Sequence, residues 1–415
     1  MKILWITNTE LPDAAKHFGK AAVYGGWMHQ TAKLLCQDDS IELHVCSMND
    51  SGYDEVEMNG IFYSAFEMSK CEKRISDLIS ELTPDVIHIW GTEYPHTLKT
   101  VECAKDHGCL SKTVISVQGL VSYISRYHYF AFLPYNVINR VTFAEFAVQK
   151  NLKQRMKGMY ERGEAERKAL QLAENCIGRT DWDRSCVRLI NPDIRYFDCH
   201  EILRESFYKN EWKIEDCNRH SIFFSQTVHP IKGFHIMLEA LHILKERYPD
   251  VKLRVIGENK NDFVSVLKED SYKKYIKELI KKYDLSDRIE WLGTLQEKEM
   301  VREYLRCNTF VCASSIENSS NSVSEAMILG VPTVASDVGG IKSMLKHEEE
   351  GILYQADAPY MLAAGISEIF DDDELALRFS KNARARALKD HDVASNMNRL
   401  LAIYEQLEKN DEKQN

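Results

Sequence analysis

The sequence predicts an α/β protein made of two doubly wound domains, each built around a parallel sheet. Three observations lead to this prediction. Apolar segments of strand length alternate with helical segments along most of the chain, as in doubly wound folds. At 415 residues the chain is longer than one hydrophobic core usually serves. Its content of 44% hydrophobic and 28% charged residues is ordinary for a globular protein.

The first domain, Rossmann-like in its strand and helix alternation, is predicted over residues 1–205. Its first strand precedes a long polar loop containing Gly25-Gly26, and its fourth strand ends at Gln118-Gly119. The predicted strands are residues 2–7, 41–47, 86–90 and 113–117, and the predicted helices are residues 27–36 and 69–81.

The second Rossmann-like domain is predicted over residues 206–395, with a C-terminal helix and tail over residues 396–415. The last helix is amphipathic, because Met397, Leu400, Tyr404 and Leu407 recur at helical spacing. The predicted strands of this domain are residues 221–225, 251–257, 288–292, 310–313 and 333–335, and its predicted helices include residues 236–247, 268–282 and 298–306.

Charge and cysteine usage exclude several classes of protein. A net charge of −10 argues against a general nucleic-acid binder. No apolar run approaches the 18 or so residues of a membrane span, and the start MKILWITNTE lacks the apolar core of a signal peptide. The eleven cysteines are scattered without a C-x-x-C pair, which favours reduced thiols over a disulfide frame or a zinc site. We therefore expect a cytoplasmic protein.

The segment from Asn308 to Asp337, NTFVCASSIENSSNSVSEAMILGVPTVASD, carries the strongest functional signal. It predicts a strand, a polar loop, a short helix and a second strand, so the loop should lie at the carboxyl edge of a parallel sheet, where α/β folds bind ligands. The small residues from Ser319 to Ser322 leave backbone N–H groups accessible at the helix start, which suits a diphosphate. Glu317 and Glu325 flank this anion site and suit hydroxyl groups. A nucleotide sugar combines both features.

The Glu-x7-Glu pair in IENSSNSVSEAMILGVPTVASDVGG resembles that of the retaining glycosyltransferases of family 4, which have the GT-B fold. The resemblance extends over HPIKGFHIMLEALHILKERYPDVKLRVIGE upstream and EEEGILY downstream. With GRTDWDR and the Gln118-Gly119 turn, it is similar to bacterial capsule, exopolysaccharide and O-antigen transferases. It implies two Rossmann-like domains facing across a cleft, with the C-terminal helix crossing back to the first.

The resemblance also implies roles for individual residues. Glu317 would bind the donor sugar and Lys232 would neutralise the leaving phosphate, so these two are the catalytic candidates. Glu325 would bind the ribose hydroxyls. Gly25 and Gly26 would approach the diphosphate from the first domain. The remaining donor-binding candidates are Thr227, Asn318, Ser319, Ser320, Asn321, Ser322 and Val323.

Some positions depart from the family pattern. Thr227 replaces a basic residue five places before Lys232, and Asn318 and Ser320 replace glycines of the phosphate loop. Gln118 stands where many relatives have a histidine, and it cannot act as a base, so front-face chemistry assisted by the leaving group is expected. The acceptor-side candidates are Gln118, Gly119, Asp181 and Trp182. Although Asp181-Trp182-Asp183 is a D-x-D sequence, we expect no metal and no cofactor.

Residues 123–160 combine aromatic and basic side chains. Tyr135, Phe143 and Phe146 are among the aromatic residues, and Arg126 and Arg140 are among the basic ones. This combination indicates peripheral contact with an anionic membrane. The alternative is that the aromatic residues pack in the core of the first domain.

Together these patterns predict a metal-independent, retaining hexosyltransferase. It would move a sugar from a nucleoside-diphosphate-sugar donor to a glycan or lipid-linked glycan, in cell-surface polysaccharide biosynthesis at the inner face of the membrane. Two alternatives remain. One is a non-hydrolysing sugar-nucleotide epimerase, which would need no acceptor. The other is a non-catalytic GT-B partner protein, which the loss of a cation at Thr227 favours.

Overall fold

In the computed structural model the described residues are 1–19, 26–49, 52–257, 259–264 and 269–411. They divide into two compact units. Unit 1 comprises Met1–Ser122, Glu161–Arg204 and His391–Asn415, and unit 2 comprises Tyr123–Tyr160 and Glu205–Asp390. None of the helices in these ranges has both the length and the apolar character that a bilayer crossing requires.

The described residues of unit 1 form an eight-stranded sheet in the order β3-β4-β2-β1-β5-β6-β7-β8. All neighbouring pairs are parallel except β3 and β4, which are antiparallel. The strands are β1 (Lys2–Thr7), β2 (Glu42–Met48), β3 (Tyr53–Met58), β4 (Ile61–Phe66), β5 (Val86–Trp90), β6 (Thr113–Ser116), β7 (Asn175–Gly178) and β8 (Arg195–Asp198).

The described residues of unit 2 form a six-stranded, fully parallel sheet in the order β11-β10-β9-β12-β13-β14. The strands are β9 (Ser221–Phe224), β10 (Lys252–Val255), β11 (Ile289–Trp291), β12 (Thr309–Cys312), β13 (Thr333–Ser336) and β14 (Ile352–Tyr354). Strands β9, β10 and β11 follow one another toward one edge of the sheet, and β12, β13 and β14 follow one another toward the opposite edge. The crevice between β9 and β12 is therefore the topological switch point, where such sheets bind ligands.

The helices alternate with these strands. They are α1 (Pro12–His17), α2 (Gly26–Leu35), α3 (Cys71–Leu82), α4 (Pro95–Asp106), α5 (Val121–Tyr123), α6 (Tyr135–Ile138), α7 (Phe143–Val148), α8 (Leu152–Leu172), α9 (Asp181–Ile190), α10 (Glu205–Tyr208), α11 (Phe234–Arg247), α12 (Lys260–Val264), α13 (Ser271–Lys282), α14 (Glu297–Arg306), α15 (Asn321–Leu329), α16 (Ile341–Met344), α17 (Pro359–Asp371), α18 (Asp373–Asp390) and α19 (Val393–Asp411). A π-helical turn covers Ile124–His128, and short 3-10 turns cover Met68–Lys70, Leu110–Lys112 and Pro230–Lys232.

The last helix, α19, completes the core of unit 1. Leu400, Ile403, Tyr404 and Leu407 on this helix pack into the cluster that contains Trp5 and its neighbours from β1 and β2. The Tyr404 hydroxyl accepts a hydrogen bond from Trp5 Nε1 at 3.1 Å. The predicted return of the C-terminal helix to the first domain is confirmed. Residues 412–415 of the predicted tail lie outside the described residues.

The same hydroxyl ties α19 to the centre of the sheet. Tyr404 Oη lies 2.6 Å from His88 Nδ1, and His88 Nε2 lies 2.6 Å from Ser116 Oγ. Burial lowers the pKa of His88 to about 3, so its imidazole is neutral at physiological pH. One ring nitrogen of His88 therefore donates and the other accepts, and β5, β6 and α19 share one buried hydrogen-bonded chain.

The segment Tyr123–Tyr160 clusters with unit 2, whereas the sequence placed it in the first domain. Hydrogen bonds to α13 and the residues before it account for the difference. Thr142 Oγ1 donates to the carbonyl of Glu269 at 2.6 Å, and Ser271 Oγ donates to the buried carboxylate of Glu145 at 2.5 Å. Arg140 pairs with Glu278 at 2.9 Å. These contacts join residues more than 100 positions apart, which local sequence patterns do not reveal.

Candidate functional site

Two loops meet at the switch point of unit 2. The loop after β9 ends in the 3-10 turn that carries Lys232, and the loop after β12 carries Glu317. The Ser315 N–H donates to the carbonyl of Ile231 at 2.7 Å and joins the two loops. Gly233 has φ +72°, and a Cβ there would overlap the carbonyl oxygen of Ala313. Only glycine combines a readily adopted positive φ with the absence of a Cβ. The backbone at Gly233 can therefore approach Ala313, which brings Lys232 close to the end of β12.

Lys232 and Glu317 form an ion pair at this edge of the sheet. Lys232 Nζ lies 2.5 Å from Glu317 Oε1, and Ser314 Oγ donates to the same oxygen at 2.7 Å. The side chains are 27% and 12% exposed, so both lie in a partly dehydrated setting that solvent still reaches. Burial alone lowers the pKa of Lys232, but the adjacent Glu317 carboxylate outweighs it and the net pKa is raised. Lys232 therefore carries a firmly held positive charge.

The double glycine Gly339-Gly340 holds Glu317 from the other side. The Gly340 N–H donates to the carbonyl of Glu317 at 2.9 Å. Gly339 has φ +48°, and a Cβ there would overlap that same carbonyl oxygen. The resemblance included this pair of glycines without giving it a role. The structure shows that it fixes the backbone of Glu317.

The helix α15 begins beside Glu317, with Ser320 as its N-cap residue. Asn321 and Ser322 are its first two residues, and N–H groups at such positions precede the first intrahelical hydrogen bonds. The N–H of Val323, which the resemblance assigns to the diphosphate, donates instead to the Ser320 carbonyl at 3.0 Å. Ser319 lies in the loop before the cap and the Asn318 side chain is buried. The Ser320 nitrogen in turn lies 3.3 Å from Met344 Sδ, so Asn321 and Ser322 carry the backbone N–H groups at the helix start that would suit an anion.

Glu325 lies on α15, and its carboxylate is mostly buried. Tyr304 Oη lies 3.3 Å from Glu325 Oε2 and 3.0 Å from the carbonyl oxygen of Ser322. Tyr304 is fully buried, so its hydroxyl fixes the carboxylate against the start of the helix. Sequence reasoning missed Tyr304, because its contact with Glu325 crosses between helices α14 and α15.

Thr227 and His229 lie in the loop that leads to Lys232. Thr227 is buried, and its Oγ1 lies 3.5 Å from the carbonyl oxygen of Ile256. Sequence reasoning also missed His229. Burial lowers the pKa of His229, and the positive charges of Lys232 and Arg155 lower it further. Arg155 is thus close enough to contribute positive potential here, although it is paired with Asp270 at 2.8 Å.

The candidates of unit 1 lie at the carboxyl edge of its own sheet. Gln118 follows β6, and Arg179 Nη2 donates to its side-chain oxygen at 3.2 Å. The carbonyl of Gly119 accepts a hydrogen bond from Thr92 Oγ1 at 2.5 Å. Gly26 begins α2, and the Arg204 side chain lies 3.0 Å from the position of a Cβ there. Gly25 lies outside the described residues.

The D-x-D sequence lies in the first turn of α9. Asp181 is exposed and pairs with Arg184 at 3.1 Å, while Trp182 is partly buried. Asp183 is buried, and it caps the helix by accepting a hydrogen bond from the N–H of Thr180. The two carboxylates therefore have separate structural partners.

Residues 209–386 match the family model described as "Glycosyl transferases group 1". Among curated relatives, the chain is 28% identical to the "Putative glycosyltransferase YtcC" of Bacillus subtilis (strain 168) over 43% of this chain and 42% of that protein. It is 27% identical to the "D-inositol 3-phosphate glycosyltransferase" of Corynebacterium glutamicum (strain R), over 39% and 38% of the two chains. The matched segment thus spans about two-fifths of these relatives.

Solved structures resemble the whole chain. Sucrose-phosphate synthase from Thermosynechococcus elongatus superposes with a TM-score of 0.69 at 15% identity, over 98% of this chain and 99% of that one. Anabaena HepE in complex with UDP and glucose gives a TM-score of 0.66 at 16% identity, over 97% and 99%. At such low identity the likeness shows the fold alone. The predicted GT-B fold, with two α/β domains and parallel sheets, is confirmed.

Proposed function

We propose that this protein, whose residues 209–386 match the group 1 glycosyltransferases, transfers a sugar from a nucleoside-diphosphate sugar with retention of anomeric configuration. The observation that carries the proposal is the Lys232–Glu317 pair at the switch point, beside the start of α15. A cation, a helix N-terminus and a carboxylate match the phosphate and hydroxyl groups of such a donor. Relatives named as glycosyltransferases and a structural neighbour that holds UDP support this choice.

In this proposal the donor diphosphate lies against the backbone of Ser320 to Ser322, with Lys232 on its outer phosphate. Tyr304 holds Glu325 in position for the ribose hydroxyls. Glu317 binds hydroxyls of the donor sugar and counters positive charge that develops at the anomeric carbon. Lys232 and the helix terminus supply the positive charge that the leaving phosphate requires, so we propose that no metal is needed.

Retention follows if the acceptor attacks from the side on which the phosphate leaves. The bond between the anomeric carbon and the phosphate oxygen breaks, and a bond from that carbon to the acceptor oxygen forms on the same face. The acceptor hydroxyl gives its proton to the departing phosphate oxygen, so atoms and charges balance. This route needs no protein base, in keeping with Gln118 at the carboxyl edge of unit 1.

Nucleoside diphosphates should raise the melting temperature of the protein. A ligand at about 100 times its dissociation constant stabilises the folded state by roughly 2.7 kcal/mol, which for a unit of this size corresponds to roughly 5–10 °C. A thermal-shift panel of uridine, guanosine and adenosine diphosphates and their sugars measures this effect. The matching nucleoside monophosphate is the control, because it lacks the phosphate that Lys232 would bind.

The nucleotide sugar that gives the largest thermal shift, incubated with and without acceptor, tests the reaction class. NMR of the product should show the anomeric configuration of the donor. Inversion would contradict the retaining mechanism, and conversion of the donor sugar without acceptor would indicate the epimerase. If no nucleotide shifts the melting temperature, the assignment of the donor site is wrong and the non-catalytic alternative gains support.

We propose further that the acceptor is a lipid-linked glycan of cell-surface polysaccharide synthesis and that the Tyr123–Tyr160 segment contacts an anionic membrane. Tyr135, Phe143 and Phe146 are 80%, 88% and 74% exposed, which contradicts their packing in a domain core. Within this segment six Lys or Arg residues accompany one acid, the buried Glu145, in a chain of net charge −10. Arg140 and Arg155 pair with Glu278 and Asp270, and Arg126 and the three lysines are the other four. Exposed aromatic rings and excess positive charge suit an anionic bilayer surface.

The double substitution Phe143→Ser with Phe146→Ser should weaken membrane binding, because it removes both aromatic rings of α7, which are exposed. Co-sedimentation with vesicles of phosphatidylglycerol and phosphatidylcholine measures the binding. Binding should also fall as salt is raised and be weak with phosphatidylcholine alone. Leu189→Ser, at an exposed apolar residue of unit 1, is the matched control. Equal sedimentation of the double variant and the control variant would exclude this contact surface.

A further inference from the structure

Unit 2 contains a cavity of about 430 Å³ next to the donor loops. Its walls are the turn from Ser125 to Phe132, Met156 and Tyr160 of α8, and Ser315. This volume is in the range of small-molecule sites. Ser315 belongs to the loop after β12 and precedes Glu317 by two residues, so the cavity wall includes a residue of the loop that carries Glu317.

The lining is chemically mixed. Aromatic rings supply much of the wall, and Arg126 supplies positive charge. The Arg126 guanidinium lies 5.1 Å from the centroid of the Tyr160 ring, and its Nη2 lies 3.4 Å from the Tyr160 hydroxyl. These two contacts place the exposed Arg126 guanidinium beside the Tyr160 ring. The lining rings are those of Tyr127, Tyr129, Phe130, Phe132 and Tyr160.

The turn that forms the cavity has strained backbone angles. Ala131 and Phe132 have φ values of 45° and 63°, in the left-handed region that residues with a Cβ rarely adopt. His235 holds this turn, because its Nε2 lies 2.7 Å from the carbonyl oxygen of Ala131. The His235 Nδ1 lies 3.2 Å from the Tyr272 hydroxyl. Two consecutive strained residues persist only where surrounding contacts over-determine them, and they cluster at ligand sites.

The polar contacts of Ser315 connect the turn to the donor loops. Ser315 Oγ lies 3.3 Å from the carbonyl oxygen of His128 in the turn and 3.3 Å from that of Ile231 beside Lys232. One buried hydroxyl thus bridges the cavity wall and the loop that carries the proposed phosphate-binding lysine.

We propose that this cavity binds the acceptor and that the acceptor is an anionic sugar. Arg126 would contact its phosphate, and the aromatic rings would pack against the apolar faces of the sugar ring. This inference rests on the proposed transferase function and adds the site and the charge of the second substrate. A sugar phosphate in solution and a lipid-linked sugar diphosphate share this chemistry.

Calorimetric titration of the full chain, with the nucleoside diphosphate that gives the largest thermal shift present at saturation, tests the proposal. The probes are glucose 1-phosphate, glucose and glucose linked through a diphosphate to farnesol. The nucleotide blocks the donor diphosphate site, so binding that remains reports a second site. We expect both phosphorylated probes to bind and glucose to bind at least tenfold more weakly. Tighter binding of the farnesyl-linked probe identifies a lipid-linked acceptor, and tighter binding of glucose 1-phosphate identifies a soluble one.

Arg126→Ala should weaken the phosphorylated probes roughly ten- to a hundredfold, because a charge-assisted hydrogen bond is lost. Arg126→Lys keeps the charge and should weaken binding of these probes less. Lys150→Ala is the matched control, since it removes a positive charge from the same segment outside the cavity lining. The affinity for that nucleoside diphosphate should stay unchanged in all three variants.

Equal affinities in wild type and Arg126→Ala would overturn the acceptor site, and so would complete displacement of the probes by the nucleoside diphosphate. Failure of uridine, guanosine and adenosine diphosphates alike to bind the wild-type protein would instead refute the proposed donor site. The two failures are thus distinguishable.

Discussion

Lys232→Ala should reduce the rate of sugar transfer by about 10²–10³ while the protein stays folded. The substitution removes the cation that stabilises the leaving phosphate. In the wild-type protein the Glu317 carboxylate lies 2.5 Å from the lysine Nζ, and in the variant it is left beside the donor phosphates without this neutralising partner. Donor affinity should therefore fall together with kcat. Steady-state kinetics with the nucleotide sugar that gives the largest thermal shift measures both.

Lys346→Ala is a matched control, because Lys346 pairs with Glu349 at 2.7 Å on the exposed surface of the same unit. Exposed pairs of this kind contribute little to stability. Its rate and melting temperature should match those of the wild-type protein. Turnover near the wild-type rate in Lys232→Ala would show that the leaving phosphate is stabilised elsewhere.

Glu317→Ala should also lower the rate of transfer by about 10²–10³, because the developing charge at the anomeric carbon loses its carboxylate. Glu317→Gln keeps the shape and the hydrogen bond from Ser314, so it separates charge from packing. If charge is the important property, the two variants should be similarly impaired. Wild-type turnover in Glu317→Gln would exclude the electrostatic role.

The pH dependence of Glu317→Gln provides a second measurement. Burial lowers the pKa of Lys232, and Glu317 reverses that effect in the wild-type protein. Without the carboxylate, burial is no longer outweighed, so the lysine should lose its proton at a lower pH. The protonated ammonium is the active form, and the alkaline fall in rate should therefore begin at lower pH in the variant. Ser314→Ala, which keeps the carboxylate, should show no such displacement.

Most of the architecture could be predicted from periodicity and turn residues. The predicted strands at residues 2–7 and 86–90 coincide with β1 and β5, and residues 3–7 and 86–90 are continuous buried runs. The antiparallel pair β3 and β4 was missed, although Asn59-Gly60 between them is a strong hairpin signal. Asn59 and Gly60 have φ values of 56° and 76°, as a type I′ turn requires.

The candidate site was predictable where its residues share one loop and helix. Glu317, Ser320 and Glu325 are close in sequence, and one β-loop-α pattern places all three. Tyr304 and the Gly339-Gly340 contact could not be predicted in this way, because they reach the site from other elements. The membership of residues 123–160 in unit 2 depends on contacts such as Thr142 to Glu269, which only the folded chain brings together.

The path of the chain between the two units has a consequence for its synthesis. The polypeptide leaves unit 1 after Ser122, returns at Glu161, leaves again after Arg204 and returns at His391. Because a ribosome releases the chain from its N-terminus, the sheet of unit 1 emerges long before Tyr404 can reach Trp5. The apolar face of unit 1 that α19 covers therefore stays exposed while nearly 200 further residues are synthesised. During this interval, binding by chaperones or aggregation competes with folding.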